Sequence, residues 1–476
     1  MTVGVLDLHG IVAAIAPTVA YVVLTVIAVH NGIYLMQLAV AAVALGRRQP
    51  TASAIEDWWR YGDATLPVSV LAPAYNEEAT IVESVRSLLS LHYPEVRVIV
   101  VNDGSTDATL ETLAEAFALE PVERAFETAV PHQPIRGLYA SPLQHRLLVV
   151  DKENGGKADA VNAGINVCRT PLFCTVDADS LLDADALLRV SKPFVDDPDL
   201  VVAVGGTICV ANGCRVRSGR VMSIALPDSL LAMFQVVEYM RAFTIGRIAW
   251  SSMNALMLIS GAFGLFRRST VVAIGGYRSD AIGEDLELIV EMHARLREQG
   301  RDYAVVFVPE PICWTQVPET LGPLAGQRRR WQRGALQTFF RHAKMLANPR
   351  YGSAGLVGIS QIFVIDVATP LVEVLGYVTM PVFWAMDAIA WDLIAAYIGL
   401  TFVFGIFLSI GALVLDTVGL GRRTKIKSLL VLAGAAMLEN FGYRQLNNIW
   451  RILGWWDFLR GKRSWGVMPR TGFKPS

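Results

Sequence analysis

Residues 66–107 read LPVSVLAPAYNEEATIVESVRSLLSLHYPEVRVIVVNDGSTD, and this stretch decides the fold. An apolar run ends just before Asn76, apolar residues then recur at helical spacing, and a second apolar run ends just before Asp103. Strands that alternate with helices in this way indicate a parallel sheet with right-handed crossovers. We therefore expect an α/β fold whose sheet begins here.

The same alternation continues to the end of a fourth strand. LLVVD (147–151) predicts a strand, KADAVNAGINVC (157–168) predicts a helix, and PLFCTVDAD (171–179) predicts another strand. Parallel sheets bind ligands at the carboxyl ends of their strands. Polar side chains gather at those ends, namely Asn76, Glu77, Asn102, Asp103, Asp151, Asp177 and Asp179. The sequence therefore predicts a ligand site along one edge of the sheet.

The composition indicates a soluble domain joined to membrane helices. Hydrophobic residues make up 53% of the 476 residues, and the mean hydropathy is +0.41. The net charge of −1 gives no overall field that would favour nucleic acid. The five cysteines show no CxxC pair, so we expect no zinc site, and unpaired thiols fit a reducing cytosolic face.

Residues 11–46 are apolar and end at Arg47-Arg48. This run exceeds the ~20 residues that one membrane crossing needs, so either one long tilted helix or a hairpin is compatible with it. The polar residues His30 and Asn31 favour the hairpin. By the positive-inside rule, the arginine pair places the following domain on the cytoplasmic side.

The C-terminal third contains further apolar runs, at 354–386, 393–419 and 427–442. The basic loop 421–427 and the basic C-terminus both indicate the cytoplasm, which requires an even number of C-terminal crossings. Residues 447–459 fit either a short crossing or an interfacial helix.

Asp366 and Glu373 lie in the first of these apolar runs, seven residues apart and so near one helical face. Ionisable groups in a membrane helix face either a polar pore or a partner on a neighbouring helix, and the sequence leaves both open.

Four segments follow from this pattern. We expect an N-terminal membrane helix or hairpin, a cytosolic α/β domain with interfacial helices, C-terminal membrane helices and a cytosolic tail, at 1–48, 49–345, 346–460 and 461–476. The expected location is the plasma (inner) membrane.

Several motifs at the strand ends suit a nucleotide-sugar ligand, although each has a simpler alternative. Asp103 could accept hydrogen bonds from a nucleobase or ribose, or form an Asx turn. Two glycines before Lys157 suit a diphosphate, without the spacing of a P-loop. Asp177 and Asp179 could hold a hard divalent cation or form a solvated turn, and their position at a strand end favours the cation.

Glu284 and Asp285 directly precede an amphipathic helix. Acids at this position are usual helix caps. A general base that deprotonates a sugar hydroxyl would also need a carboxylate at the mouth of the same cleft.

Eight motifs in this order resemble those of the family 2 inverting glycosyltransferases with a GT-A fold. They are APAYNEE (72–78), VNDGSTD (101–107), GGKADAVN (155–162), VDAD (176–179), ISGAFGLFRR (259–268), GED (283–285), WTQVPET (314–320) and QRRRW (327–331). Together with the flanking apolar runs they resemble the processive, membrane-embedded branch that includes cellulose, chitin, hyaluronan and poly-N-acetylglucosamine synthases. The resemblance covers residues 67–335.

The resemblance implies a role for individual residues. It assigns nucleotide-sugar binding to Tyr75, Glu77, Asp103, Lys157, Asp177, Asp179, Gln327 and Arg330. Asp285 would be the base, with Glu284 beside it, and Asp179 with Asp177 would hold Mg²⁺ or Mn²⁺. Acceptor binding falls to Trp331, Ser260 and Gly261. Gly283 departs from the threonine of many relatives, which makes the helix entry more pliable.

The tail residues Trp465 and Arg470 resemble a gating loop that closes over bound nucleotide. The alternative is a basic tail on the membrane surface.

The resemblance implies a processive synthase that polymerises a UDP-sugar into a β-linked glycan and moves the glycan through its own helices. UDP-N-acetylglucosamine is the expected donor. A non-processive transferase with a lipid-linked acceptor and a non-catalytic nucleotide receptor are the alternatives. Expected partners are the UDP-sugar, the growing glycan and the lipid bilayer, with accessory export subunits or a second copy of the chain, and no nucleic acid.

The spacing Gln327-x-x-Arg330-Trp331 separates motif residues from their neighbours. Trp331→Ala is expected to abolish polymer formation while nucleotide binding persists, because the indole would stack on the acceptor sugar. Arg328→Ala is expected to be mild, because the motif gives Arg328 no role. Product sizing and nucleotide titration measure both effects, and polymer made by Trp331→Ala protein would contradict the acceptor role.

Overall fold

The computed structural model describes residues 8–48, 54–217, 219–420 and 425–462. Within them the strands are β1 (Val68–Ala74), β2 (Val96–Asn102), β3 (Glu120–Pro121), β4 (Ile135–Ala140), β5 (Leu147–Lys152), β6 (Leu172–Val176), β7 (Leu181–Leu182), β8 (Val201–Val210), β9 (Arg215–Arg217), β10 (Arg220–Ser223), β11 (Phe263–Arg267) and β12 (Ala304–Thr315).

Ten of these strands form one sheet in the order β3-β4-β5-β2-β1-β6-β11-β8-β12-β7, and β9 pairs with β10 separately. Strands β5, β2, β1 and β6 are parallel neighbours, whereas β11 runs antiparallel to both β6 and β8. The predicted α/β fold with a mostly parallel sheet is therefore confirmed.

The helices are α1 (Leu8–Gly46), α2 (Ala54–Tyr61), α3 (Ile81–Leu89), α4 (Thr109–Phe117), α5 (Lys157–Val167), α6 (Ala186–Asp196), α7 (Leu230–Met240), α8 (Ile248–Ser252), α9 (Arg268–Ala273), α10 (Glu284–Glu298), α11 (Leu321–Arg341), α12 (Thr369–Ala385), α13 (Trp391–Ile398), α14 (Phe404–Gly419), α15 (Ile426–Leu438) and α16 (Tyr443–Leu459). Short 3₁₀ turns are Gly62–Ala64, Ala343–Met345 and Pro349–Tyr351, and π-helical segments are Arg241–Arg247, Ala354–Ile359, Ile362–Ala368 and Gly399–Val403.

The N-terminal apolar run forms one continuous helix, α1, so the favoured hairpin is wrong. The two polar residues that favoured a turn are satisfied inside the helix bundle. His30 Nδ1 lies 3.1 Å from Thr369 Oγ1, and Asn31 Nδ2 donates to the Leu400 carbonyl at 2.8 Å. Because neighbouring helices satisfy these groups, the helix need not break there.

The length of α1 has a second cause, which is that its last turns belong to the core of the α/β domain. Ala41 and Leu45 are buried in that core, and Val40 and Ala44 pack against it. Arg48, just beyond the helix, forms an ion pair with Glu310 of β12 at 2.5 Å. The apolar run is therefore long because its first part can cross the membrane and its last turns pack in the core of the domain.

Three helices among the described residues are long and apolar enough to cross a membrane, at Val12–Gly46, Ala354–Ala385 and Trp391–Gly419. The chain is accordingly a membrane protein. The third C-terminal apolar run forms only the short helix α15. Residues 447–459 lie in α16, which packs along α11 and α12 and carries the charged side chains of Arg451 and Asp457.

The acids of the first C-terminal apolar run bind partners on α16, which favours pairing over a pore-facing role. Asp366 Oδ1 accepts a hydrogen bond from Arg451 at 2.7 Å. Glu373 accepts hydrogen bonds from Asn448 and, at 3.1 Å, from Tyr377. These contacts fasten α16 to α12 and the π-helical segment before it.

The arginines around the QRRRW motif join α11 to neighbouring helices. Arg328 donates from both terminal nitrogens to the Glu238 carboxylate of α7, each at 2.7 Å, and is only 4% exposed. Arg329 pairs with Asp457 of α16 at 2.7 Å. Arg333 donates to the Lys462 carbonyl at 2.7 Å.

The structure reverses the expectation for Arg328. Arg328→Ala would remove the cationic partner of the partly buried Glu238 carboxylate and leave only the hydrogen bond from the Tyr443 hydroxyl. Removing one partner of a buried ion pair costs about 3–5 kcal/mol. We expect a clearly lowered melting temperature for the purified protein in thermal unfolding. Arg301→Ala, at an exposed position, is the matched control and should melt like the wild type. Equal melting of both variants would show that the Arg328–Glu238 pair is unimportant.

Candidate active site

Four parallel strands end side by side and expose one edge of the sheet. Ala74 of β1 lies opposite Asn102 of β2, which lies opposite Asp151 of β5. The polar residues at these ends are therefore neighbours, as the sequence predicted. Asn102 and Asp151 bind each other, since Asn102 Nδ2 donates to Asp151 Oδ1 at 2.7 Å. That pair holds the strand ends together.

The loop after β1 is fastened to the loop after β2. Asn76 adopts a positive φ of 56°, and its Oδ1 accepts a hydrogen bond from the Thr106 amide at 2.8 Å. The Glu77 amide donates to Thr109 Oγ1 at 2.8 Å, and the Glu77 side chain is buried. Tyr75 is 46% exposed at the same strand end. The two loops thus form one wall, with Tyr75 on its surface.

Asp103 is occupied by protein groups on both carboxylate oxygens. Oδ1 lies 2.5 Å from Lys152 Nζ and accepts from the Gly155 amide at 3.0 Å, while Oδ2 accepts from the Gly156 amide at 2.8 Å. Lys152 is fully buried and also lies 2.6 Å from Asp159 Oδ1. This geometry fixes the glycine-rich loop before Lys157 to the end of β2.

Sequence reasoning missed Lys152 as a member of the site. The only signal was a charged residue at the end of the apolar strand LLVVDK. Because an ammonium group is buried only with compensating anions, a lysine in that position predicts nearby carboxylates. The sequence alone does not show that Asp103 and Asp159 supply them.

Lys157 joins the glycine-rich loop to two further motifs. It begins α5 directly after Gly156, whose φ of +88° favours glycine. Its Nζ lies 2.5 Å from Asp177 Oδ1 and 3.3 Å from Glu284 Oε1, and donates to the Gly261 carbonyl at 3.1 Å. Burial alone would lower the pKa of Lys157, but the two carboxylates raise it above its ordinary value.

Asp177 and Asp179 follow β6, where the residue between them is held by α3. Ser84 Oγ donates to the Ala178 carbonyl at 2.6 Å. Burial and the neighbouring Asp177 carboxylate raise the pKa of Asp179 to about 6. Lys157 pairs with Asp177, and the Asp179 carboxylate lies close enough to Asp177 for the two to interact. Such oxygen ligands suit a hard divalent cation like Mg²⁺ or Mn²⁺, so the residues fit a metal.

Glu284 and Asp285 lie in the first turn of α10 and face the same cluster. The Gly261 amide donates to Asp285 Oδ2 at 2.9 Å, and the Leu286 amide donates to Asp285 Oδ1 at 2.8 Å. Burial raises the pKa of Glu284. Asp285 accordingly contacts its own helix, as a cap would, and also the loop of Gly261. The backbone of Gly261 binds Asp285 through its amide and Lys157 through its carbonyl.

Helix α11 carries the QRRRW motif to the entry of α10. A Cβ placed on Gly334 would lie 3.1 Å from the Gly283 nitrogen, so helix and loop are in close contact there. Gln337 Oε1 accepts from the Ile282 amide at 2.8 Å, which fixes the same contact. Gly283 is thus a point of close packing and has an ordinary φ of −116°.

The motif residues lie one to two turns before Gly334. Trp331 is 43% exposed, and the Arg328 guanidinium lies 4.5 Å from its ring centre. Gln327 and Arg330 are half-buried on the same helix. Trp465 and Arg470, expected to form a gating loop, lie outside the described residues.

A second group of possible metal ligands lies farther along α10, where Glu287, Glu291 and His342 approach one another. Arg341 lies 3.0 Å from Glu287, and Arg295 lies 2.7 Å from Glu291. Since each carboxylate already has a guanidinium, we interpret the group as an ion-pair network that joins α10 to the end of α11.

The mostly parallel sheet and the acids at its carboxyl edge define the class, a glycosyltransferase with a GT-A fold. Residues 69–270 match the family described as "Glycosyl transferase family 2", and residues 172–410, half of the chain, match "Glycosyl transferase family group 2". The chain belongs to the family 2 glycosyltransferases.

Two relatives of similar sequence are poly-β-1,6-N-acetyl-D-glucosamine synthases. The protein of Staphylococcus epidermidis is 30% identical over 275 residues, which is 58% of this chain and 56% of that protein. The protein of Staphylococcus aureus is 31% identical over 291 residues, 60% of this chain and 59% of that protein. The match thus spans little more than half the length of these relatives.

The fold is also that of a solved mannosyltransferase from Pyrobaculum calidifontis, determined in complex with GDP-Man and Mn²⁺. The two structures align with a TM-score of 0.55 at 18% identity, over 93% of this chain and 99% of the other. Nearly the whole chain, including the apolar helices, therefore takes part in the similarity of fold.

Gly261 offers a sharp test of the site geometry. A Cβ at this position would lie 3.0 Å from Lys157 Nζ and 3.3 Å from Asp285 Oδ2. We expect Gly261→Ala to displace both groups and to lower sugar transfer about 10- to 100-fold, measured as nucleotide release. Gly322→Ala is the control, because a Cβ there meets nothing within 4 Å. Equal activity of the two variants would contradict the role of this backbone.

Proposed function

We propose that this chain is a processive inverting glycosyltransferase that polymerises a β-linked glycan from UDP-N-acetylglucosamine and moves it across the membrane through its own helices. The observation that carries the proposal is the cluster around Lys157, which brings the acids after β6 next to the acids of α10. Lys157 Nζ lies 2.5 Å from Asp177 and 3.3 Å from Glu284. A donor site and a base are thereby adjacent.

The residues divide the reaction into a donor side and an acceptor side. Lys157 meets the diphosphate of the donor, supported by the Gln327 and Arg330 side chains of α11, and the exposed Tyr75 and buried Glu77 form the nucleotide wall. Asp103 orients the nucleotide through the loop that it holds. A divalent cation on Asp177 and Asp179 would neutralise the charge that develops on the departing diphosphate.

Asp285 removes the proton of the attacking acceptor hydroxyl. The Gly261 amide fixes its Oδ2, and the Leu286 amide fixes its Oδ1, so the carboxylate is held in one orientation. Attack at the anomeric carbon then breaks the bond to the diphosphate and inverts the configuration. The proton passes to Asp285, and Glu284 beside it keeps Lys157 in place.

The exposed ring of Trp331 supports a role in acceptor binding, together with Ser260 and Gly261, because an indole face can stack on a pyranose. Helix α11 is also tied to the membrane helices directly after the motif. Gln332 Nε2 donates to the Asp366 carbonyl at 2.5 Å, and Arg451 Nε donates to Gln332 Oε1 at 2.8 Å. A glycan held by Trp331 would therefore lie at the entry to the membrane helices.

The relatives support N-acetylglucosamine as the sugar, since they are named for a polymer of it. The apolar helices and the arginine pair after α1 support a multi-pass protein of the inner membrane with a cytosolic catalytic domain. The tail with Trp465 and Arg470 would act as a gating loop. Export subunits or a second copy of the chain would complete the machinery.

Purified protein in lipid nanodiscs, incubated with a panel of radiolabelled UDP-sugars, tests the function. We expect incorporation of N-acetylglucosamine, dependence on Mg²⁺ or Mn²⁺, and products of many sugars in gel filtration. Products that carry one sugar on a lipid would instead establish the non-processive alternative. Nucleotide binding without any sugar transfer would indicate the non-catalytic nucleotide receptor.

The base assignment has its own prediction. Asp285→Asn keeps the shape of the side chain but cannot accept the proton, so we expect transfer to fall roughly 100-fold or more while the UDP affinity stays unchanged. Asp302→Asn, an exposed change at a position away from α10's first turn, is the control. Transfer at the wild-type rate by Asp285→Asn would refute Asp285 as the base.

A further inference from the structure

Arg247 lies at the end of the π-helical segment Arg241–Arg247, which connects α7 to α8. π-Helical turns are rare and frequently lie at functional sites. The Arg247 guanidinium carbon lies 3.9 Å from the centre of the Phe243 ring, and that ring stacks on Phe307 of β12 at 6.1 Å. Aromatic packing thus fixes the position of this cation.

The guanidinium of Arg247 lacks the carboxylate partner that such a group normally has. Its Nε is buried and makes no hydrogen bond within the described ranges, and no ion pair with it occurs there either. Burial lowers the pKa of Arg247 to about 10. Arg328, in contrast, binds the Glu238 carboxylate with both terminal nitrogens. A partly buried guanidinium without a carboxylate partner costs free energy of folding. This cost indicates that a bound ligand supplies the missing hydrogen-bond acceptors.

The surroundings of Arg247 place that ligand on the acceptor side. The carboxylate whose charge acts on Arg247 is that of Asp285. Asp285 is the group that must lie beside the acceptor hydroxyl if the proposed function holds. The donor diphosphate has its own cation in Lys157. The Arg247 guanidinium therefore remains available to bind oxygen atoms of the acceptor.

We propose that Arg247 binds the acceptor sugar, donating hydrogen bonds to its hydroxyl or N-acetyl oxygens, and so directs the attacking hydroxyl toward Asp285. The inference rests on the proposed function and deepens it. The planar fork of the guanidinium offers donors in a fixed geometry, which suits one orientation of a sugar ring. Phe243 holds that fork before the acceptor arrives, so little conformational freedom is lost on binding.

The test uses the full chain in nanodiscs with UDP-N-acetylglucosamine and a β-1,6-linked N-acetylglucosamine pentasaccharide as acceptor. We expect Arg247→Gln to raise the acceptor KM roughly 10- to 100-fold, the effect of losing a charged hydrogen bond, with the affinity for UDP unchanged. Arg247→Lys should recover part of the loss. Arg301→Gln, at an exposed position, is the matched control and should behave as the wild type.

A thermal melt separates ligand binding from a structural role. Because no anion pairs with Arg247 in the described ranges, Arg247→Gln should keep or raise the melting temperature, whereas loss of a structural cation would lower it. The proposal is overturned if the acceptor KM of Arg247→Gln is unchanged or if its UDP affinity falls by the same factor. It is also overturned if added anionic lipid restores the activity of the variant, because Arg247 would then bind a lipid headgroup. Absence of transfer by the wild-type protein would refute the proposed function instead.

Discussion

The ammonium group of Lys157 is the contact on which the geometry of the site depends. It binds oxygen atoms from three parts of the chain that are distant in sequence, namely the end of β6, the loop of Gly261 and the first turn of α10. Without a cation at that point, the carboxylates of Asp177 and Glu284 would repel each other. The distance between the acids after β6 and the acids of α10 is therefore set by one side chain, which the buried Asp103–Lys152 pair positions through the glycine-rich loop.

The sequence predicts the parts of the site that depend on local pattern. Strand ends follow from where apolar runs stop, so the position of Asp103, Asp177 and Asp179 at one edge of the sheet could be inferred. The GED motif could be placed at a helix start because an amphipathic helical pattern follows it. The structure gives the positions and contacts of these residues, and their roles in catalysis are predictions from the motifs.

Long-range partners could not be inferred. The motif gave Arg328 no role, because its partner Glu238 lies 90 residues earlier in the chain. Nothing in the sequence pattern of residues 354–386 shows that Asp366 meets Arg451. The hairpin expectation failed for a related reason, since an apolar residue looks the same whether it faces lipid or a protein core. Hydropathy therefore gave the apolar character of residues 11–46 correctly but not where the bilayer ends.

The continuation of α1 into the core means that one helix belongs both to the membrane region and to the core of the catalytic domain. Ala41 and Leu45 fill space in the domain, and the Arg48–Glu310 ion pair seals the end of the helix. A truncation that begins at residue 49, the usual way to obtain a soluble catalytic fragment, would leave that space empty and its apolar walls in water. The boundary of the folding unit thus lies inside an apparent membrane anchor, and a fragment meant for crystallisation must keep residues 33–48.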